Sequence, residues 1–253
     1  MRRGYSESFA AVYDRLFGDF SALLAPYLHQ YFVRHTAPGG DRSLLDLCCG
    51  TGIVARYFVE QGVRVVGLDA SEPMIRRAIA SMRDDVEAGR AEFIVADAGE
   101  LSLDRRVDAC ISIDNAMNHI GGVGRLVACA RRVRETLNPG GWFLFDLNTA
   151  ARLVSLDGAR ILDTPETFQL WRNIVDRDAG VVHASVVGFA ADGAGSYTRF
   201  SEVYRNFIFA ARDVREALLA DGWREVSFRN IADLESVVED PEAAHIVVVV
   251  AQT

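Results

Sequence analysis

Between residues 43 and about 148, short apolar runs alternate with amphipathic helical segments, and that rhythm leaves few folds open. The runs are Ser43–Cys48, Arg64–Asp69, Glu92–Asp97, Val107–Ile113 and Gly141–Asn148. Strands joined through helices at this spacing pair in parallel and need cover on both faces of the sheet. The punctuation agrees. Gly62 closes the helix that follows Gly52, Ser71 caps the next with Glu72 and Pro73 in its first turn, and Asn138-Pro139-Gly140-Gly141 stops the helix ending at Leu137.

After residue 150 the pattern changes. Phe168–Asp176, Val181–Ala190 and Tyr197–Phe209 are strand-like, separated by turn signals at Asp178-Ala179-Gly180 and Asp192-Gly193-Ala194-Gly195. Three strands joined by hairpins make an antiparallel insert rather than more parallel units. A helix at Arg212–Asp221 then leads past Gly222 to strands near Glu225–Asn230 and His245–Ala251, while Ser6–Val33 reads as helical. Length and composition suit this plan, since 253 residues, half of them apolar, can bury a full core.

Charge excludes some partners. A net charge of −8 argues against a nucleic-acid backbone or an anionic membrane surface. The densest basic cluster, Arg131, Arg132 and Arg134, reads as a solvated helix face. All 27 basic side chains are arginines, which rules out a Schiff-base lysine and a phosphate-loop lysine. The four cysteines (Cys48, Cys49, Cys110 and Cys129) form no C-x-x-C pair, and reduced thiols in a cytoplasmic protein are expected. The first residues carry no long apolar run of the kind a secretory leader needs, and Ile246–Ala251 is too short to cross a bilayer. His29, His35, His183 and His245 lack acidic or cysteine company at ligand spacing, so no metal site is expected.

The chemistry centres on Leu44–Gly52, LLDLCCGTG, at the end of the first strand, where an open α/β sheet places its ligand. Gly50 and Gly52 permit close backbone approach to a bound molecule. Asp69 ends the second strand, where a carboxylate can accept both ribose hydroxyls of an adenosine, and Asp97 ends the third, facing the adenine edge. Gly50-x-Gly52-x-x-Ala55 also fits the relaxed dinucleotide fingerprint, so an NAD-dependent oxidoreductase is the competing reading. Asp46 tips the balance: its carboxylate would repel a pyrophosphate but favour an amino-acid ammonium.

The runs LLDLCCGTG, GLDASEPM, FIVADA, SIDNAMNHI and LNPGGWFLFDLN resemble, in order and spacing, the successive motifs of class I S-adenosylmethionine (SAM)-dependent methyltransferases over roughly residues 43–148. Val12-Tyr13-Asp14-Arg15-Leu16 is similar to the opening of the small-molecule subgroup that includes amino-sugar N,N-dimethyltransferases and YqeM-like proteins. Cys48 departs from the family's usual glycine. The resemblance implies a Rossmann-like α/β core over 37–150 behind an N-terminal helical lid over 1–36. An antiparallel β insert over 151–210 and a C-terminal helix and strands over 211–253 complete the plan.

Carried over residue by residue, the resemblance sets Asp46, Cys48, Gly50, Thr51 and Gly52 against SAM. Asp69, Ala70 and Met74 join them from the second segment, Asp97 and Ala98 from the third, Ile113, Asp114 and Asn118 from the fourth, and Tyr13 from the lid. It further implies methyl transfer by in-line displacement to a small molecule, nitrogen first and oxygen next, with His119 and Tyr13 catalytic and S-adenosylhomocysteine as product. Tyr5, Asn115, Glu202, Tyr204 and Arg205 are the substrate candidates. Plainer readings exist: His119 bonded to a backbone carbonyl, Tyr13 in ordinary packing, Asp114 and Asn115 capping a helix, Glu202 and Arg205 in a surface ion pair. A SAM-binding protein catalysing another reaction, and a non-catalytic interaction protein, stand as alternatives. The insert's strand edge could also pair two subunits into a homodimer.

Overall fold

The computed structural model describes residues 4–253, so the first three residues of the expected lid segment lie outside the described residues. Helices α1 (Glu7–Phe17) and α2 (Asp19–His35) come first. The expected single helix over Ser6–Val33 is thus two, broken at Gly18. A Cβ there would lie 2.6 Å from the Asp14 carbonyl and 2.8 Å from the Ile53 methyl, so only glycine lets the chain turn this close to the core. Ser6 caps α1 by accepting the Phe9 N–H at 3.3 Å.

The core then runs β1 (Ser43–Leu47), α3 (Ile53–Glu60), β2 (Arg64–Asp69), α4 (Glu72–Ser81), α5 (Arg83–Glu87), β3 (Ala91–Val95), β4 (Val107–Ser112), α6 (Val123–Thr136) and β5 (Leu137–Asn148). A short helix α7 (Ala150–Ser155) leads into the insert, which is β6 (Gly158–Asp163), β7 (Thr167–Asp176), β8 (Val181–Ala191) and β9 (Tyr197–Phe207). Helix α8 (Ala211–Ala220) and strands β10 (Glu225–Asn230), β11 (Asp233–Val237) and β12 (Ile246–Gln252) finish the chain.

Two sheets result. The core sheet has the order β11-β10-β12-β5-β4-β1-β2-β3, parallel from β5 through β3 and antiparallel from β5 outwards to β11. Strand alternation feeds two cores. Leu44, Ile111, Leu144 and Val248 face α2 and α3, where Phe32 and Phe58 lie, while Leu45, Cys110, Phe143 and Val249 face α6 and α8. The insert forms a separate antiparallel sheet, β6-β7-β8-β9, whose inner residues Val186, Ala190 and Phe200 pack on Phe9 and Val12 of α1.

Strands β6 and β11 were not expected from the sequence. Every residue of β6 is exposed, so its own pattern shows no alternation, and its pairing with β7 makes it a strand. The Arg131–Arg134 cluster also has a structural part to play. Arg131 and Arg132 do lie on the exposed face, but Arg131 Nε donates to Asp221 at 2.7 Å and an Arg134 nitrogen donates to the Asp221 carbonyl at 2.8 Å, tying α6 to the end of α8. Among the described residues, no helix is long and apolar enough to cross a membrane.

Candidate active site

The carboxyl ends of β1, β2 and β4 open into one cavity of about 730 Å³, roofed by α1 and the insert. The loop after β1 turns through three left-handed residues, Cys48 (φ 62°), Gly50 (φ 55°) and Gly52 (φ 81°). That explains the resemblance's preference for glycine at position 48, because a side chain there carries roughly 1–2 kcal/mol of backbone strain. Cys48→Gly is expected to raise the unfolding free energy by up to about 1 kcal/mol, and Cys48→Val to lower it by at least as much, in paired urea titrations.

Asp69 organises this loop. One carboxylate oxygen accepts the Gly50 N–H at 3.0 Å and the other the Ser71 N–H at 2.8 Å. A dinucleotide loop would offer such an N–H to phosphate; here a carboxylate already holds it. Beneath, Gly67 keeps β2 clear of Phe93, whose ring would lie 2.5 Å from a Cβ. Burial pushes the Asp69 and Asp114 carboxyls up, the two backbone N–H groups opposing it at Asp69 and the Tyr13 hydroxyl opposing it at Asp114. Among the described residues neither carboxylate has a cationic partner within ion-pair distance, an arrangement that suits a positively charged ligand better than a pyrophosphate.

The lid is fastened over this site at four points. Tyr13 Oη donates to Asp114 at 2.8 Å, and Ser71 Oγ donates to the Tyr5 carbonyl at 2.9 Å. The Thr51 hydroxyl bonds Asp14, and the Ser6 N–H and hydroxyl both bond Glu202. Burial raises the Tyr5 and Tyr13 hydroxyls well above the ordinary tyrosine range and lifts Tyr204 to about 12, so all three are neutral donors at physiological pH.

The turn after β4 carries Asp114 (φ 65°) and Asn115 (φ 52°), two strained residues in succession. Asp146, buried on β5, accepts the Asn115 N–H at 2.9 Å and holds this turn in place. His119 follows and lines the cavity. Its Nδ1 lies 3.0 Å from the Arg205 carbonyl; an acceptor there fixes the proton on Nδ1 and leaves Nε2 as the ring's acceptor. Burial lowers the imidazole below its usual range, so the ring is neutral near pH 7.

Of the sequence-derived residues, the structure gathers Tyr5, Tyr13, Cys48, Gly50, Asp69 and Ala70 around the cavity. Asp97, Ala98, Ile113, Asp114, Asn115 and His119 join them from the core, and Glu202 and Tyr204 from the insert. Others are placed differently. Asp46 is buried and accepts the Ala55 N–H at 3.1 Å, serving the start of α3, with its carboxyl raised by burial to about 7. Thr51 faces α1 rather than the cavity, and Gly52 packs against Ala78 and Phe93.

Met74 is fully buried against the lid. Asn118 donates to the Asn148 and Phe207 carbonyls and accepts the Asn148 N–H, so its amide is spent clamping the insert to β5. Arg205 also lines the cavity, with its guanidinium over the Phe207 ring at 5.5 Å and its carbonyl beside His119 Nδ1. Arg152, Arg160, Trp171 and Asn173 also line the cavity and were not anticipated: Arg152 and Arg160 lie on α7 and β6, which the sequence did not reveal, and the pattern of β7 does not show which of its faces meets the cavity.

A mostly parallel Rossmann-like sheet with Asp69 at the end of β2 and Asp97 beyond β3 lining one cleft defines the class, an open α/β protein with its candidate ligand site at the carboxyl ends of its strands. Comparison with known proteins gives the class its chemistry: residues 44–141 match the methyltransferase domain family. The chain is 25% identical over 227 residues to the putative methyltransferase YqeM of Bacillus subtilis, covering 86% of each. It is also 25% identical over 202 residues to a Streptomyces venezuelae dTDP-3-amino-3,4,6-trideoxy-α-D-glucopyranose N,N-dimethyltransferase, covering 76% of this chain and 79% of the relative. A SAM-dependent methyltransferase from Clostridium acetobutylicum superposes with a TM-score of 0.80 at 20% identity over 96% of this chain and 97% of that one, a likeness of fold. Residues 44–141 thus form a methyltransferase domain, and the chain as a whole resembles SAM-dependent methyltransferases in sequence and fold.

Proposed function

We propose that this enzyme methylates an amine nitrogen of a small molecule, held between the Gly50–Asp69 cofactor loop, the α1 lid and the inner face of the insert. The observation that carries this reading is one cavity bringing Asp69 and Asp97 of the core together with Tyr13, Asp114, His119 and Tyr204. The similarity to an amino-sugar N,N-dimethyltransferase supports nitrogen over oxygen. SAM, when bound, supplies an activated methyl group on a sulfonium. Asp69 would hold its ribose, Gly50 would let its backbone approach, Asp97 would meet the adenine, and the Asp114 carboxylate would favour its positive charge.

The protein's own work is then alignment and proton transfer. Tyr13 and Asp114 close the lid and exclude water, and the Tyr204 hydroxyl donates to the acceptor. The acceptor nitrogen uses its lone pair to form the new C–N bond as the C–S bond breaks, and the resulting ammonium gives its proton to His119 Nε2. Because the neutral imidazole is the active form, turnover should fall as pH drops through the His119 pKa, which lies below the usual 6.5. His119→Asn should lower kcat by roughly 100-fold and remove that acid limb, read from pH–rate profiles.

The direct test is release of S-adenosylhomocysteine when the enzyme and SAM meet a panel of primary and secondary amines beside matched alcohols. Product with amines only supports the reading; product with alcohols only would replace nitrogen by oxygen. SAM bound but never demethylated across the panel would sink the transfer reaction. Cytoplasm is the proposed compartment, on the four unpaired thiols. A homodimer through the open β6 edge is proposed on the same footing; sedimentation as a 28 kDa species would count against it.

A further inference from the structure

The cofactor end of the cavity is acidic, but its insert end is not. Arg152 on α7 and Arg160 on β6 line the same cavity, and among the described residues neither guanidinium has a hydrogen-bond or ion-pair partner. The other cavity arginines are occupied: Arg125 pairs with Asp97 at 3.3 Å, and Arg205 lies over Phe207. Arg152 Nε is moreover a buried donor with nothing to donate to. A buried donor without a partner is costly, and water, an ion or a ligand usually completes it; at Arg152 it is the position on the cavity wall that favours a ligand.

Orientation supports this. The register Arg160–Trp171–Val186–Glu202 runs straight across the insert, so Arg160 stands on the inner face with Trp171 and Glu202. Its charge is felt by the Tyr204 hydroxyl across the same space. Both arginines belong to segments that follow the core strands, α7 and β6, rather than to the Gly50–Asp69 loop.

We propose that the acceptor carries an anionic group, a phosphate or a carboxylate, bound by Arg152 and Arg160. Guanidinium groups take both oxyanions bidentately. Arg160 lies three strand spacings from Glu202, about 14 Å, so the anion and the methylated nitrogen belong to different ends of the acceptor. This deepens the transferase reading and rests on it for the word acceptor, but the anion subsite can be tested without turnover.

The experiment is calorimetric titration of inorganic phosphate, and separately of malonate, into the enzyme with and without saturating S-adenosylhomocysteine. Saturable binding is expected, weakened about 10-fold in Arg160→Gln and again in Arg152→Gln, with SAM affinity within about twofold of the parent. Phosphate alone would mark a phosphoryl group; binding of malonate as well would mark a carboxylate. No saturable heat with either anion, or equal affinity in parent and Arg160→Gln, overturns the proposal. Arg160 is on an exposed strand, so that variant still decides the matter should Arg152→Gln fold poorly. Failure of SAM itself to bind would strike the transferase reading and leave the anion result standing.

Discussion

Asp69→Ala should weaken SAM binding by about 1–3 kcal/mol, a loss of roughly 5- to 150-fold in affinity, with the fold intact. The carboxylate is proposed to accept the ribose hydroxyls while it already fixes the Gly50 and Ser71 N–H groups. Alanine removes both functions at once, leaving two loop donors unpaired and the left-handed turn at Gly50 unbraced. Asparagine keeps an acceptor for one N–H but loses the charge, so Asp69→Asn should fall between parent and alanine. Calorimetry on the three proteins separates the cases, and equal affinities would remove Asp69 from the cofactor site.

The largest stability effect is expected from Phe143→Ala, at about 3–5 kcal/mol. Phe143 is fully buried on β5, 4.8 Å from the Phe145 ring and 6.3 Å from Trp223, in the layer between the sheet and helices α6 and α8. Removing it opens a cavity at the strand where the parallel and antiparallel halves of the sheet meet, a position with little freedom to collapse. Urea unfolding should show a lower midpoint at unchanged slope, since the surface exposed on unfolding barely alters. A midpoint shift equivalent to under about 1 kcal/mol would mean the layer repacks.

Local patterns made the parallel core legible. Each of its five strands has its own apolar run, and each carboxyl end carries a residue whose type signals its work, as Asp69 and Asp97 do. The insert was read less well because an edge strand such as Gly158–Asp163, exposed throughout, has no pattern apart from its partner. With β6 unseen, the arginine it contributes to the cavity was unseen too. Asp46 shows a subtler limit. A carboxylate before a glycine loop looks like a ligand for the cofactor's ammonium, yet the Ala55 N–H at the start of α3 claims it first. Asn118 and Met74 lie beside cavity residues in sequence but point elsewhere, since neighbours in a turn share a motif without sharing a direction. The lid's fastenings, Asp14 to Thr51 and Ser6 to Glu202, join residues far apart in the chain and leave no local signature.

Those fastenings have a kinetic consequence. With α1 bonded to the turn after β4, the Gly50 loop, the start of α4 and β9, the cleft is roofed on that side, and a cofactor entering beneath α1 would wait for the helix to lift. Association then stops rising with SAM concentration once it reaches the opening rate, and dissociation shares the same ceiling. Loosening the latch, as Tyr13→Phe would by deleting the bond to Asp114, speeds arrival and departure together and moves the equilibrium constant far less than either rate. Where that lifting is slower than methyl transfer, the amino-terminal helix and not the Rossmann-like core sets the pace of the cycle.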